Sequence, residues 1–503
     1  MPMERARNTE IGIESPEPRR ALLISKLADA NAWSLFCLLV LAIKLLLFWL
    51  DPTPKLFMGD SGAYVHTALT GWIPEDRSYF YGYLVRGLAV WPHSFAPLLL
   101  VQALASSATA IVFAFICSRY FEISNSLSFL FGLLCVLDPC QLVWERYVMT
   151  ETFSLVIYVL VIYRSIAYLR DRRLWQLAVV QALSVVLIGF RMSYLLVVQV
   201  CTILLPLIAF ARCSLPVLSQ RSAPRIMQPG VLMTAVMHVV ASVAMMLAMH
   251  GAYKYANGRL SHREPAYLYN AGAHLVAVWA PALEPTDATD PRFAELIANG
   301  DQIKIKNLHL RNAQQFGRGL LVKSWLEIEK DLRKNDRVAR ETAMNALRHR
   351  PLEIARLAMQ TYLGYWNPAS VRRYAQNDLG YGTMRDDEVR MFAEKFGLHT
   401  AIRPSTLPHS FLQRYFVAAW PYYFIVVVSP LICAFAIWLG RDRASALLLF
   451  VHASILMVVV TALSPQASIR YIQPVSLLTL LSIAICIDWF ARQRKPSVIE
   501  LAA

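Results

Sequence analysis

The residues equipped for chemistry in this sequence lie where long apolar runs stop. After the first run comes a loop that reads Asp51-Pro-Thr-Pro-Lys-Leu-Phe-Met-Gly-Asp60-Ser61-Gly-Ala-Tyr64. It continues as a helical pattern to Gly71 and then gives Glu75-Asp76-Arg77 and the aromatics Tyr79, Tyr81 and Tyr83. A carboxylate held beside an acceptor hydroxyl or amine can take its proton, and Asp60 is the candidate general base. It is also placed to N-cap the helix that closes at Gly71, a role that fixes its rotamer and leaves one oxygen for proton transfer. Glu75 and Asp76 are either solvated loop charges or part of a polar site with Asp60. A divalent cation is compatible with these three acids, although nothing in their spacing demands it. The three tyrosines match an interfacial aromatic belt.

A second cluster runs from Asp138-Pro139 through Glu145-Arg146 to Thr150-Glu151, at the head of another apolar run. Charges there are expensive unless paired or solvated. One expectation is a local pair of Arg146 with Glu145 or Glu151 plus a Thr150 cap; the other is an aqueous site that includes Glu151. Two further cations stand alone. Arg191 lies between two apolar runs with almost no linker, and Arg470 lies with Tyr471 in the stretch from Ser464 to Pro474. A lone arginine at a helix end is commonly a snorkelling anchor. Two of them beside several carboxylates suit an anionic ligand, because a guanidinium grips phosphate oxygens bidentately and does not deprotonate. Lys44 sits midway along the first run, where it must snorkel or face inward.

Membrane spans have to position these groups. The sequence is 56% hydrophobic with a mean hydropathy of +0.42, above what an ordinary soluble domain carries. Its net charge of +15 resides in short Lys/Arg clusters between apolar runs, which reads as membrane topology rather than nucleic-acid binding. The eight cysteines form no disulfide framework and no zinc spacing. No small-residue cleavage site follows Leu50, so the first run is expected to be an uncleaved anchor.

Ten runs approach the roughly 20 residues that a spanning helix needs: 33–50, 94–117, 123–137, 152–169, 174–190, 192–210, 231–253, 416–439, 444–463 and 475–490. The expected fold is an all-α polytopic membrane protein of about ten transmembrane helices with both termini inside. Residues 1–32 form a cytoplasmic segment and 33–252 a seven-span module with the outside loop 51–93. An extracytoplasmic helical segment follows over 253–415, then three spans over 416–491 and a cytoplasmic tail over 492–503. The inside connections then hold Arg170, Arg172 and Arg173, Arg221 and Arg225, Arg441 and Arg443, and Arg492, Arg494 and Lys495, as the positive-inside rule requires. Asp60, Glu151, Arg191 and Arg470 share the outer face. Within 253–415, Leu320, Leu321, Trp325, Ile328 and Leu332 recur at helical spacing, Pro351 marks a break, and the apolar face over 352–366 is suited to lie along a membrane surface.

In their order and common sidedness, three short strings resemble the GT-C superfamily, the polytopic glycosyltransferases that use polyprenyl-phosphate sugars. They are Asp60-Ser61-x-x-Tyr64 after one span, Asp138-Pro139 followed by Thr150-Glu151, and Arg470-Tyr471-x-x-Pro474. The last resembles the bacterial protein-mannosyltransferase-like and lipopolysaccharide-glycosyltransferase-like branches. The sequence departs from the family at Ser61, where a second acid is frequent, and over 253–415, which matches no branch. The resemblance implies an inverting transfer at the outer face of the membrane; the lack of Asn-x-Ser/Thr sites and the compact loops suit a bacterial inner membrane, with the endoplasmic reticulum as the alternative. Asp60 takes the proton of an acceptor as it attacks the anomeric carbon, and polyprenyl phosphate leaves. It implies Arg191 and Arg470 as phosphate ligands, Glu151 orienting an arginine or a sugar hydroxyl, and Tyr64 packed under the sugar, with Glu75, Asp76 and Tyr471 completing the substrate site. The partners implied are a polyprenyl-phosphate sugar donor, membrane lipids and a lipid, glycan or protein acceptor. A transporter or lipid flippase would use the same charges as a substrate path, and a non-catalytic scaffold is a further alternative. No duplicated halves are visible and the polar residues gather on one face, which favours an enzyme acting on an outside-facing substrate or a scaffold whose long segment binds a partner over a transporter.

Overall fold

The computed structural model describes residues 17–214, 229–380, 386–398 and 407–493. The expected segment before residue 17, the inside cations Arg221 and Arg225, and Arg494 and Lys495 in the tail lie outside the described residues. Among the described residues the chain is helical with no strand; the sole extended pairing is one isolated parallel bridge between Lys55 and Tyr147.

Backbone in lipid must satisfy its own hydrogen bonds, so the apolar runs become helices. Helix α1 (Glu17–Leu50) leads into the first loop and its helix α2 (Met58–Thr70). There follow α3 (Ala96–Tyr120), α4 (Asn125–Val136), α5 (Pro139–Trp144), α6 (Glu151–Asp171), α7 (Leu174–Phe190), α8 (Leu195–Ser214) and α9 (Pro229–Ser261). The long polar segment contributes α10 (Ala271–Trp279), α11 (Leu332–His349), α12 (Pro351–Gly364), α13 (Pro368–Leu379) and α14 (Asp386–Phe396). The chain then returns to apolar helices α15 (Trp420–Val427), α16 (Ser429–Leu439), α17 (Arg443–Ala462) and α18 (Ile469–Gln493).

Among the described residues, seven stretches are long and apolar enough to cross a bilayer: Asp29–Leu50, Ala96–Tyr120, Glu151–Asp171, Met192–Ala211, Gly230–Ser261, Arg443–Ala462 and Ile469–Gln493. The pair α15 and α16, bent by 57° at Val428, makes an eighth if taken as one span. This is an integral, multi-pass, all-α membrane protein. The two other runs of the ten fall short of that length: α7 has 17 residues and α4 has 12. At 1.5 Å per residue α4 extends only about 18 Å, against a hydrocarbon core of about 30 Å. Beyond α4 the path continues through α5 and the stretch 145–150, all of it buried in protein, where broken backbone is tolerated at membrane depth.

Polar groups fasten both ends of the bundle. At one end, Arg170 reaches the Tyr120 carbonyl and lies 3.4 Å from Asp442, Arg441 pairs with Glu122 at 3.2 Å, and Arg492 donates to the Glu122 carbonyl. Asp60, Glu151, Arg191 and Arg470 meet at the other. Between the ends, several intramembrane polar side chains find partners across helices. Tyr158 and Cys201 engage the two ring nitrogens of His452 at 3.1 and 3.2 Å, and Gln181 donates to Thr202 and Ser242. Lys44 resolves inward: its ammonium pairs with Glu145 at 3.0 Å and donates to the Val136 carbonyl at 2.9 Å, fully buried.

The segment over 253–415 has its own core, in which Val276, Phe293, Trp325, Ala339 and Ile354 pack together. Leu321 and Trp325 enter that core as expected, whereas Ile328 and Leu332 are exposed. The stripe read from spacing is interrupted because its helix ends at Ile328 and α11 starts afresh behind an Asp331 cap. Pro351 opens α12, which buries Ile354 and Leu357 while Leu352, Met359, Leu363 and Trp366 remain exposed along its outer side.

Candidate functional site

Asp60 stands in the first turn of α2, not at its N-cap. Phe57 holds the cap position in extended conformation with no side-chain cap bond, and Ser61, inside the helix, accepts through Oγ from the Phe57 amide at 2.9 Å and donates to the Val148 carbonyl at 3.0 Å. Ser61 is fully buried; a second acid there would have no room in this arrangement. The far end of α2 closes as expected on Gly71, whose φ of 79° and amide bond to the Thr67 carbonyl form a left-handed C-cap.

Freed from capping, the Asp60 carboxylate bridges two arginines. Arg77 Nη1 donates to one oxygen at 2.8 Å and Arg470 Nη1 to the other at 2.9 Å. Burial pushes the carboxyl up, but the two guanidiniums pull it further down, to about 2. Its side chain is still 23% exposed, against 0% for Glu151, so it is the acid of the pair open to solvent. Arg470 also donates through Nε to Glu151 and stacks over Phe57, 4.8 Å from the ring centre. Arg191 braces this group from behind. It lies 3.8 Å from Glu151, donates to the Arg470 carbonyl at 3.1 Å and sits over the Tyr471 ring at 5.8 Å. The arrangement is a row of alternating charges, Arg77, Asp60, Arg470, Glu151 and Arg191, drawn from the first loop, the head of α6, the end of α7 and the head of α18.

The remaining expected members fall elsewhere. Asp76 grips Arg77 bidentately at 2.9 and 2.7 Å, and so orients the arginine rather than the substrate. Glu75 turns away to Arg263 at 2.7 Å, while its carbonyl accepts from the Tyr269 amide. Asp60, Glu75 and Asp76 therefore do not converge on a common centre, and among the described residues no three His, Cys, Asp or Glu side chains are grouped to hold a metal ion. Tyr64 is buried, edge-on to Tyr81 at 4.9 Å, with the Arg77 guanidinium 5.6 Å over its ring; that cation occupies the face expected to carry a sugar. Tyr81 is no belt residue either: it is fully buried and donates to Gln102 at 2.8 Å, which in turn ties down the carbonyls of Glu145 and Tyr147. Arg146 pairs with Glu145 at 3.5 Å, and the Thr150 hydroxyl makes no cap bond to α6.

Two contributors escaped the sequence reading. Arg77 was visible in the Glu75-Asp76-Arg77 string but had no feature that set it apart from a solvated charge. Asp378, in α13, had no signal at all. Its carboxylate, 6% exposed, accepts from Ser468 Oγ at 3.0 and 3.1 Å and from the Arg470 amide at 3.0 Å. Burial outweighs those donors and raises it to about 6. Comparison with known proteins found no matching family model, no matching curated protein and no matching solved structure.

Proposed function

We propose that this protein is a glycosyltransferase of the GT-C type, moving a sugar from polyprenyl phosphate to an acceptor hydroxyl or amine at the outer face of a bacterial inner membrane. The observation that carries this reading is the Asp60 carboxylate, open to substrate at the end of a membrane bundle and flanked by the Arg77 and Arg470 guanidiniums. A donor phosphate competes with Asp60 for the Arg470 fork. Once it has that fork, Asp60 loses one of the two cations that depress it and becomes more basic as the acceptor arrives. The acceptor lone pair then attacks the anomeric carbon opposite the phosphate and its proton passes to Asp60. The anomeric C–O bond breaks, its electron pair leaves on the phosphate oxygen, and configuration inverts. Arg470, backed by Arg191, stabilises the charge developing on that oxygen.

In this reading α4 with α5, α7, and the bent pair of α15 and α16 each make a crossing, giving ten. The charge pairs at the two ends of the bundle support it, since consecutive apolar helices carry the chain from one cluster to the other. Purified protein assayed against a panel of polyprenyl-phosphate sugars tests the activity. Asp60→Asn tests the base: the amide cannot take the proton, and α2 does not depend on Asp60 for its cap. Transfer is expected to fall on the order of a hundredfold or more with donor affinity undiminished. Near-normal transfer by folded Asp60→Asn protein refutes the assignment, and lipid movement across proteoliposomes without any transfer favours the flippase.

A further inference from the structure

An arginine selects a phosphate only if its planar fork is aimed, and the aim of Arg470 is set by the turn over 468–470 at the head of α18. Residues of the long polar segment hold that turn. Asp378 takes both the Ser468 hydroxyl and the Arg470 amide. Tyr365, fully buried at the end of α12, donates to the Ser468 carbonyl at 2.8 Å and accepts from the Ser468 amide at 3.0 Å. A neighbouring bond reinforces the seat: Tyr147 donates to the Leu379 carbonyl, joining α13 to the bridge between Lys55 and Tyr147 below Asp60. A helix start leaves its first amides without intrahelical acceptors, and a neutral hydroxyl or amide side chain can satisfy one of them. Burying a carboxylate costs far more than burying an amide or hydroxyl would, yet here it collects a hydroxyl and a main-chain amide into one rigid, charge-assisted joint.

We propose that the segment over 253–415 is the positioning element for the donor arginine, with Asp378 as a positioning residue that fixes the angle at which Arg470 meets the donor phosphate. This rests on the donor-binding reading of Arg470. It gives a role to a segment that the family resemblance leaves unmatched, and it makes donor binding depend on how that segment sits against α18.

The test is binding of a polyprenyl methyl phosphodiester, which carries the single phosphate charge of the donor, to the full-length protein in detergent. Wild type, Asp378→Ala, Asp378→Asn, Arg470→Ala and the Asp378→Ala/Arg470→Ala double variant are compared, each with its melting temperature. Asp378→Ala is expected to weaken binding about tenfold, or 1.4 kcal/mol. Asp378→Asn, whose carbonyl oxygen still accepts from the hydroxyl and the amide, should stay within about threefold. In the Arg470→Ala background, Asp378→Ala should cost nothing further, an outcome that a purely structural role does not produce. If Asp378→Ala does not fold, Ser468→Ala replaces it, with a loss of about threefold that likewise vanishes without Arg470. Equal losses for Asn and Ala, no loss at all, or an undiminished loss in the Arg470→Ala background overturns the proposal while leaving the donor site intact. Absence of phosphodiester binding by wild type overturns the donor reading itself, and this proposal with it.

Discussion

At the scale of single residues, the site is governed by what each charge is paired with. Asp60 at about 2 is fully ionised in the free protein at neutral pH, so its own contribution to an acid limb of kcat/KM lies far below the working range. Arg77→Gln removes one of the two cations, and that limb is expected to move up by about one unit or more; a pH profile of initial rates checks it. Arg470→Lys retains the charge but not the fork, and donor affinity should fall measurably; unchanged affinity for both Lys and Ala at this position returns Arg470 to the role of an anchor. Deeper in the bundle, Lys44→Met leaves Glu145 only its 3.5 Å contact with Arg146 and should destabilise by about 3–5 kcal/mol, as read by melting in detergent. The sequence made Asp60, Glu151, Arg191 and Arg470 conspicuous because lipid confines charges to the ends of apolar runs. It could not say which partner each would choose. Glu75 and Asp76 sit beside Asp60 in sequence yet turn to Arg263 and Arg77, and Asp378 reaches the site from a segment whose pattern is that of any amphipathic helix.

At the scale of elements, a count of apolar residues finds runs but not their breaks. The break at Val428 has a cause in the sequence, since Pro430 follows Ser429 and cannot donate to the preceding turn; Pro139 likewise starts α5 after the short α4. Helix α4 compensates for its length by close packing. A Cβ added at Gly132 would lie 2.6 Å from the Phe36 ring and 3.1 Å from the Ala114 Cβ. Gly132→Val should therefore lower stability by about 1–3 kcal/mol through overpacking against α1 and α3, measurable as a lowered melting temperature; a neutral result would show that α1 is loosely seated. The proposed ten crossings also predict sidedness. Reporter fusions after Arg173 should read as cytoplasmic and fusions near Asn312 as external, and the reverse at either point removes Asp60 from the outer face.

At the scale of the whole molecule, two carboxylates give stability opposite dependences on pH. Asp60, depressed to about 2 from an ordinary 3.8, contributes stability that is complete above about pH 4 and lost as pH falls through 2. Asp378, raised to about 6 from the same ordinary value, holds in the folded state a proton that the unfolded chain releases, so its contribution improves as pH falls from above 6 toward 4. Wild type should therefore gain melting temperature relative to Asp378→Asn between pH 7.5 and 5; parallel shifts in the two proteins would place the titration elsewhere. The membrane class and the helical content were legible in composition, because nothing but internally bonded helices suits so many apolar runs. The closing of the site across the chain was not, because distance in sequence carries no record of it. That closure has a consequence for synthesis. Asp60 and Glu151 emerge hundreds of residues before Arg470, the arginine that joins them. While α18 is still untranslated, Glu151 has Arg191 and the Thr150 hydroxyl to face among its eventual partners, and the row of alternating charges is incomplete. Translation of the last helix thus completes the row of alternating charges on which the proposed activity depends. Two co-expressed fragments divided within the long segment should regain transfer only when the second supplies Arg470.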